Sequence, residues 1–385
     1  MNNVISLSVN STIQDLAPLY VEAIKQKVPF SQLPAPMLWG APGVGKSDSI
    51  RQIAGEIEHK THKKVFITDV RLNLFNPIDL RGIPVANEDK TLAVWLKPKI
   101  FDMNPSEEVV NILFLDEISA APQTVQAAAY QITLDRMIGE HSLPENCIVI
   151  AAGNRTTDRS VAYRMPNALA NRLRHIEVVC DFESWSKWAI QHHVHPLVLG
   201  YLSYDNSKLY QEEVDMDQVA FPTPRSWMFV SNILNLMCQW TEGASVEDQY
   251  SRIAGCVGTA VALEFIAYCN IHKDLPAVAD IFAGKRIAYP ATMDALYALI
   301  QSMITYVKTK ESVEGVKGIS DIELENACRY AQKFPADYKA CYYKELSDIG
   351  SIVKKLSKSP SFKEWFKKNN TEEIALKFSK VSLVD

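Results

Sequence analysis

The stretch "LWGAPGVGKSDSI", residues 38–50, decides the fold. Gly40 to Ser47 fits the spacing G-x-x-x-x-G-K-[ST], directly after an apolar run and directly before "DSIRQIAGEI", which reads as a helix. Strand, glycine loop and helix are the context that separates a nucleotide-holding loop from a coincidental glycine turn. The glycines let backbone N–H groups approach phosphate oxygens, and the helix N-terminus adds partial positive charge. In this reading Gly40, Ala41, Pro42, Gly43, Val44, Gly45, Lys46, Ser47 and Asp48 line the ligand. Lys46 neutralises terminal phosphates, and the Ser47 hydroxyl is a magnesium ligand.

Outward from the loop, residues 35 to about 180 alternate short apolar runs ("APMLW", "KVFITDV", "NILFLD", "CIVIAA", "RHIEVV") with longer polar-periodic segments. This alternation predicts an α/β domain with a largely parallel sheet buried on both faces. After a short leader, "STIQDLAPLYVEAIKQK" has helical spacing, with Ile13, Leu16, Leu19, Tyr20, Ala23 and Ile24 on one side. It is expected as a helix just before the first strand. Beyond "AFPTPRSW", long helical periodicities take over, so a mainly helical part begins near 185. The expected division is 1–184 (α/β core with its N-terminal helix), 185–300 (helical lid) and 301–385 (C-terminal helical extension).

A phosphate loop needs an acidic partner at the end of a buried strand. In "NILFLDEIS", Asp116 is placed to hold magnesium through water, and Glu117 to orient or deprotonate an attacking water. The same pair can also be a helix cap and first-turn acid. Asn154 in "ENCIVIAAGNR" follows another apolar strand, where its amide would position the same water; an Asn in a turn after a strand also arises for backbone reasons.

With these motifs in order, the sequence resembles the AAA+ ATPases, and within them the MoxR-like, dynein-related (AAA_5) branch. "GAPGVGKS" matches Walker A, "ILFLDE" Walker B, "AAGNR" sensor one, "NALANRLRHIEV" an arginine-finger segment and "TPRSW" sensor two. The resemblance covers roughly residues 10–300 and weakens beyond. It implies an AAA+ P-loop core followed by a mainly helical lid, binding ATP and Mg2+, with Ser47 and Asp116 at the metal. It also implies hydrolysis at subunit boundaries of a homo-oligomeric ring, a hexamer by the family's habit.

The same resemblance assigns Arg172 as the arginine acting in trans on a neighbour's nucleotide, with Arg164 and Arg174 as competing candidates. Arg225 becomes the sensor-two arginine, placed at a helix start by Pro222 and Pro224; a purely structural arginine is the other reading. Two hairpins are expected, within "LFNPIDLRGIPVANEDKTLAVWLKPKIF" and "RMIGEHSLPENCIVI", facing a pore or a partner, or else as ordinary surface hairpins. The implied function is a chaperone-like motor remodelling a protein client, alongside a partner with a von Willebrand factor A domain. A nucleotide-gated scaffold with little turnover and a nucleic-acid motor are the alternatives.

Composition narrows these classes. The 385 residues suit two or three domains, and the net charge of -5 provides no overall basic field for nucleic acid or anionic lipid, although Lys90, Lys97 and Lys99 would put local positive charge on the first hairpin. The seven cysteines are widely spaced with no C-x-x-C, as expected of reduced thiols. No signal segment opens the sequence, and no apolar run approaches the roughly 18 residues of a membrane span. A cytoplasmic protein with no membrane partner is the expectation.

Three features are discounted. His192, His193 and His195 in "QHHVHP" lack Cys or acidic partners at ligand spacing. Trp185 and Trp188 are expected to pack a helix, and the lysine-rich tail "SIVKKLSKSPSFKEWFKKNNTEEIALKF" to be a solvated helix face.

Overall fold

The computed structural model describes residues 4–155, 163, 165, 170–211, 218–240, 245–273, 275–290, 292–312 and 318–369. The chain divides between Trp185 and Ser186 into two compact units.

In the first unit, β1 (Ile5–Ser8), β2 (Pro36–Trp39), β3 (Lys64–Arg71), β6 (Val109–Asp116), β9 (Cys147–Gly153) and β10 (Arg174–Val179) form one sheet of six strands in the order β1-β10-β2-β9-β6-β3. Every pairing is parallel. Strands β2, β6 and β9 are buried along their whole length, which is why their sequences are nearly continuous apolar runs. Successive side chains alternate between faces. Met37, Trp39, Leu113, Leu115, Val149 and Ala151 share a core with Val125, Ala129 and Ile132 of α4 (Gln123–Asp135). The opposite side is covered by α1 (Val9–Gln26) and α2 (Lys46–Thr61), which pack on each other.

Two details depart from the sequence expectation. A strand, β1, precedes α1; its four residues "ISLS" are too few to give a periodic signal, and it is an edge strand paired with β10. The buried stripe of α1 takes in Ala17 and Val21, while Leu19 falls at its margin and is 36% exposed. Ser8 ends β1 and also caps α1, its hydroxyl accepting from Ser11 N–H at 3.2 Å.

Both expected hairpins form. β4 (Ile83–Ala86) pairs antiparallel with β5 (Ala93–Leu96) after a short helix, α3 (Pro77–Arg81), and β7 (Met137–Ile138) pairs with β8 (His141–Ser142). They are tied together: a ring nitrogen of His141 donates to the Trp95 carbonyl, 2.8 Å away.

Among its described residues the second unit is built of helices and the loops between them, with no strand. The expected boundary at 300/301 falls inside the helix Met293–Ser312, whose Leu296, Leu299, Ile300, Met303 and Ile304 enter a single core with Leu324, Tyr342, Tyr343, Ile352, Phe362 and Trp365. A division there would cut one apolar cluster. The described part of the tail forms two helices, Gly350–Leu356 and Pro360–Lys368, with Phe362 and Trp365 turned inward and Lys363, Lys367 and Lys368 outward. Residues 370–385 lie outside the described residues. Among the described residues no helix is long and apolar enough to cross a membrane.

The helix Asp321–Ala331 opens with a capping box between Ser320 and Glu323, and Glu323 also accepts from Lys310 Nζ at 2.8 Å. The Lys310 hydrogen bond, followed by the Ser320 backbone N–H, brings the Glu323 carboxyl from the usual 4.5 down to about 2. A lowered folded pKa stabilises above the unfolded value and is lost as pH falls through the folded one. In thermal melts, E323Q should therefore melt below the wild type near neutral pH, and the gap should close as pH falls from 4.5 to about 2. A gap unchanged across that range would remove the ionised carboxylate as its source.

Candidate functional site

The loop between β2 and α2 sits where three strands end. Gly40 N–H donates to the Gly153 carbonyl at 3.3 Å, and a Cβ on Gly40 would stand 2.6 Å from the Val178 carbonyl oxygen. Only glycine lets the backbone approach β10 so closely. Gly45, the residue before α2, has φ 107°, a left-handed conformation that glycine adopts without strain. Ala41 and Val44 are buried anchors, whereas Pro42 is exposed. The first N–H groups of α2 lack carbonyl partners within the helix and are suited to an anion.

Lys46 is only 8% exposed. Its ammonium donates to the Gly40 carbonyl, to the Ala41 carbonyl at 3.1 Å, and to Asn154 Oδ1 at 2.9 Å. Asn154 Nδ2 donates in turn to Glu117 Oε2 at 3.0 Å. Ser47 Oγ donates to Asp116 Oδ2 at 3.1 Å, and the other oxygen of Asp116 accepts from Glu117 N–H at 2.9 Å. Five residues spread from position 46 to position 154 thus form one hydrogen-bonded cluster at the strand ends.

The helix-cap reading of the acidic pair does not hold for α4. α4 begins at Gln123 with Pro122 as its preceding residue, so neither Asp116 nor Glu117 caps it. Asp116 is the last residue of β6, and Glu117 turns sharply with φ 58°. Ser47 and Asp116 provide hard oxygen donors side by side, a set that fits Mg2+, which takes one or two protein oxygens and completes its shell with phosphate and water. Asp48 is directed along α2, accepting from Gln52 at 2.9 Å and facing Arg51 at 3.8 Å.

Five neighbours were not anticipated in these roles. Ser119 Oγ accepts from the Asn154 backbone N–H at 2.8 Å and so holds that residue from behind. Arg155 pairs with Glu177 on β10. The Ser6 hydroxyl, and after it Arg155, holds the Glu177 carboxyl below its usual range against the effect of burial. On β3, partial burial and then the charge of Asp116 push the Asp69 carboxyl up. A lone acid inside the apolar strand "RHIEVV" was the available signal for Glu177.

The candidate arginines separate. Arg174, at the start of β10, is engaged by Asp15 at 2.6 Å. Arg172 is exposed and lines a cavity of about 380 Å³ with Tyr20, Pro34, Asp135 and Arg136. Arg174 is in register with Pro36, where β2 begins, and Glu177 with Trp39, where it ends, so Arg172 lies at the opposite end of the sheet from its own loop. Arg164 lies outside the described residues.

In the second unit, Arg225 is exposed at the second position of the helix Pro224–Trp240. Thr223 and Ser226 cap that helix start reciprocally, with Thr223 N–H donating to Ser226 Oγ at 2.8 Å and Ser226 N–H to Thr223 Oγ1 at 3.0 Å. The histidines have local partners: His192 stacks on Trp188 with ring centres 4.2 Å apart, and His195 caps the helix Pro196–Tyr204. Trp185 is buried.

Residues 36–174 match the model of the ATPase family associated with various cellular activities (AAA). The match runs from β2 to the start of β10, the part of the chain that carries the glycine loop and its hydrogen-bonded cluster. None of the curated proteins matches the chain. Among solved structures, NtrX from Brucella abortus is similar at 14% identity and TM-score 0.34, covering 86% of this chain and 68% of that one. A RuvB variant from Thermotoga maritima is similar at 14% identity and TM-score 0.33, covering 72% and 77% respectively.

K46A should weaken Mg-ATP binding by about tenfold or more, because a charge-assisted contact to phosphate is lost. Titration with a fluorescent ATP analogue checks this, and an unchanged Kd would exclude Lys46 from phosphate binding.

Proposed function

We propose that this chain is a ring-forming ATPase of the MoxR-like AAA+ branch that hydrolyses ATP to remodel or activate a protein partner. The observation that carries the reading is the cluster joining Lys46, Asn154, Glu117, Ser47 and Asp116. Lys46 already directs its ammonium across the loop, where phosphate oxygens compete for its donors. Ser47 and Asp116 would hold Mg2+, which supplies positive charge to the phosphates when bound. Glu117 accepts the proton of the attacking water, and Asn154 orients the carboxylate that does so.

The exposed position of Arg172 at the far end of the sheet supports action on a neighbouring subunit, with a ring of six copies as the working stoichiometry. An arginine supplied in trans makes turnover depend on that assembly. In the same scheme Arg225 reports nucleotide state to the helical part of the chain.

The first hairpin supports a protein client. Cross-strand pairs share a face, so Ile83 and Leu96 lie beside Val85 and Val94, and Ile83 and Leu96 are 60% and 56% exposed. An aliphatic face of this kind favours a protein client over a phosphate backbone, despite Lys90, Lys97 and Lys99 nearby. A von Willebrand factor A domain protein remains the proposed partner by resemblance. The free cysteines among the described residues suit a cytoplasmic setting.

E117Q should retain ATP binding and lose hydrolysis by about a hundredfold or more. Phosphate release measured beside nucleotide affinity checks this, and normal turnover would take Glu117 out of its role. Mixing R172A subunits with K46A subunits should recover part of the activity that each lacks alone. No recovery at any mixing ratio would count against the shared site.

A further inference from the structure

The side chain of Arg155 crosses the root of the phosphate loop. Gly153 is in register with Trp39, and Trp39 with Glu177, so the last residues of β9 and β2 lie in one row with Glu177, two residues before the end of β10. Arg155, two residues beyond Gly153, carries its guanidinium past the end of β2 to Glu177 on the far strand. The loop begins at Gly40, immediately after the middle member of the row. The pair is largely enclosed, with the Arg155 and Glu177 side chains 21% and 12% exposed. Beyond it, Ser6 of β1 is in register with Glu177 and donates to its other oxygen at 2.7 Å.

We propose that Arg155 is a positioning residue: its ion pair with Glu177 ties β9 to β10 across the loop-bearing strand and so fixes Asn154 between Lys46 and Glu117. Asn154 is then held from two sides. Ser119 grips its backbone N–H, and the adjacent residue is anchored to β10 through Glu177 and, beyond that, to the edge strand β1. Without the anchor, the segment after Gly153 loses its tie to β10, and the Asn154 backbone keeps the Ser119 contact. A displacement of about 1 Å in a group that orients the reaction is enough to cost about a hundredfold in rate. Arg155 itself needs no contact with nucleotide for this effect.

The inference rests on the hydrolysis proposed above, and two readouts on the full chain keep the two ideas separable. In the first, R155A should lower kcat about tenfold to a hundredfold while KM for ATP moves by less than about threefold, with partial return in R155K. The double variant R155A/N154A should lose no more than N154A alone, as residues acting in series do. Full kcat in R155A, a change confined to KM, or additive losses in the double variant would overturn the positioning role.

The second readout is amide hydrogen exchange across residues 40–47 and 150–155, which needs no turnover. R155A should speed exchange in both segments and R155K should restore protection; unchanged exchange in R155A would overturn the clamp. A wild-type chain without ATP turnover would sink the hydrolysis reading, and exchange alone would then decide the clamp. Should R155A fail to fold, R155K and E177Q carry the same comparison, with weaker protection and lower kcat expected in E177Q. Normal values for both in E177Q would overturn the proposal.

Discussion

One side-chain amide holds the site together. Asn154 accepts from the Lys46 ammonium with its oxygen and donates to the Glu117 carboxylate with its nitrogen. The orientation of the amide is dictated by its partners, since an ammonium can only donate and an ionised carboxylate can only accept. Each hydrogen bond to a charged group contributes about 1.5–3 kcal/mol. Lysine and glutamate are thereby linked through a third residue.

That arrangement demands a rigid support, and the parallel sheet provides it. Lys46 follows β2, Asp116 ends β6 and Asn154 follows β9, and these three strands lie side by side in the order β2-β9-β6. Parallel pairing brings all their C-terminal ends to one edge, so three distant segments deliver their polar residues to the same place. The apolar interior of the strands is the reason the register holds: a slip of one residue would turn each buried side chain to the wrong face.

Burial makes the cluster sensitive to its own completeness. Lys46 and Asp116 are each 8% exposed. A charge taken out of water is costly unless protein groups replace the hydration. Around Lys46, carbonyl oxygens of the loop and the amide of Asn154 serve that purpose; around Asp116, the Ser47 hydroxyl and the Glu117 N–H do. Much of the loop's geometry is therefore needed to solvate its own lysine. The first hairpin answers to a different constraint, since Ile83 and Leu96 on its aliphatic face are more than half exposed.

By itself, the sequence determined the strands, the loop and the identity of the polar residues at the strand ends. Buried parallel strands are written as continuous apolar runs, and "GAPGVGKS" puts glycine where the backbone approaches a neighbouring strand or turns with positive φ. It did not disclose β1, because "ISLS" is a strand only by pairing with β10. Nor did it disclose Glu177 and Arg155 as partners, because an ion pair across β2 depends on strand order, and strand order is set by packing over the whole sheet. The acidic pair and Asn154 were open to local readings until the tertiary structure placed α4 well beyond Glu117 and brought Asn154 to Lys46. The reason is physical: local sequence governs backbone preference within a few residues, whereas a hydrogen bond between positions 46 and 154 exists only once the strands between them have found their order.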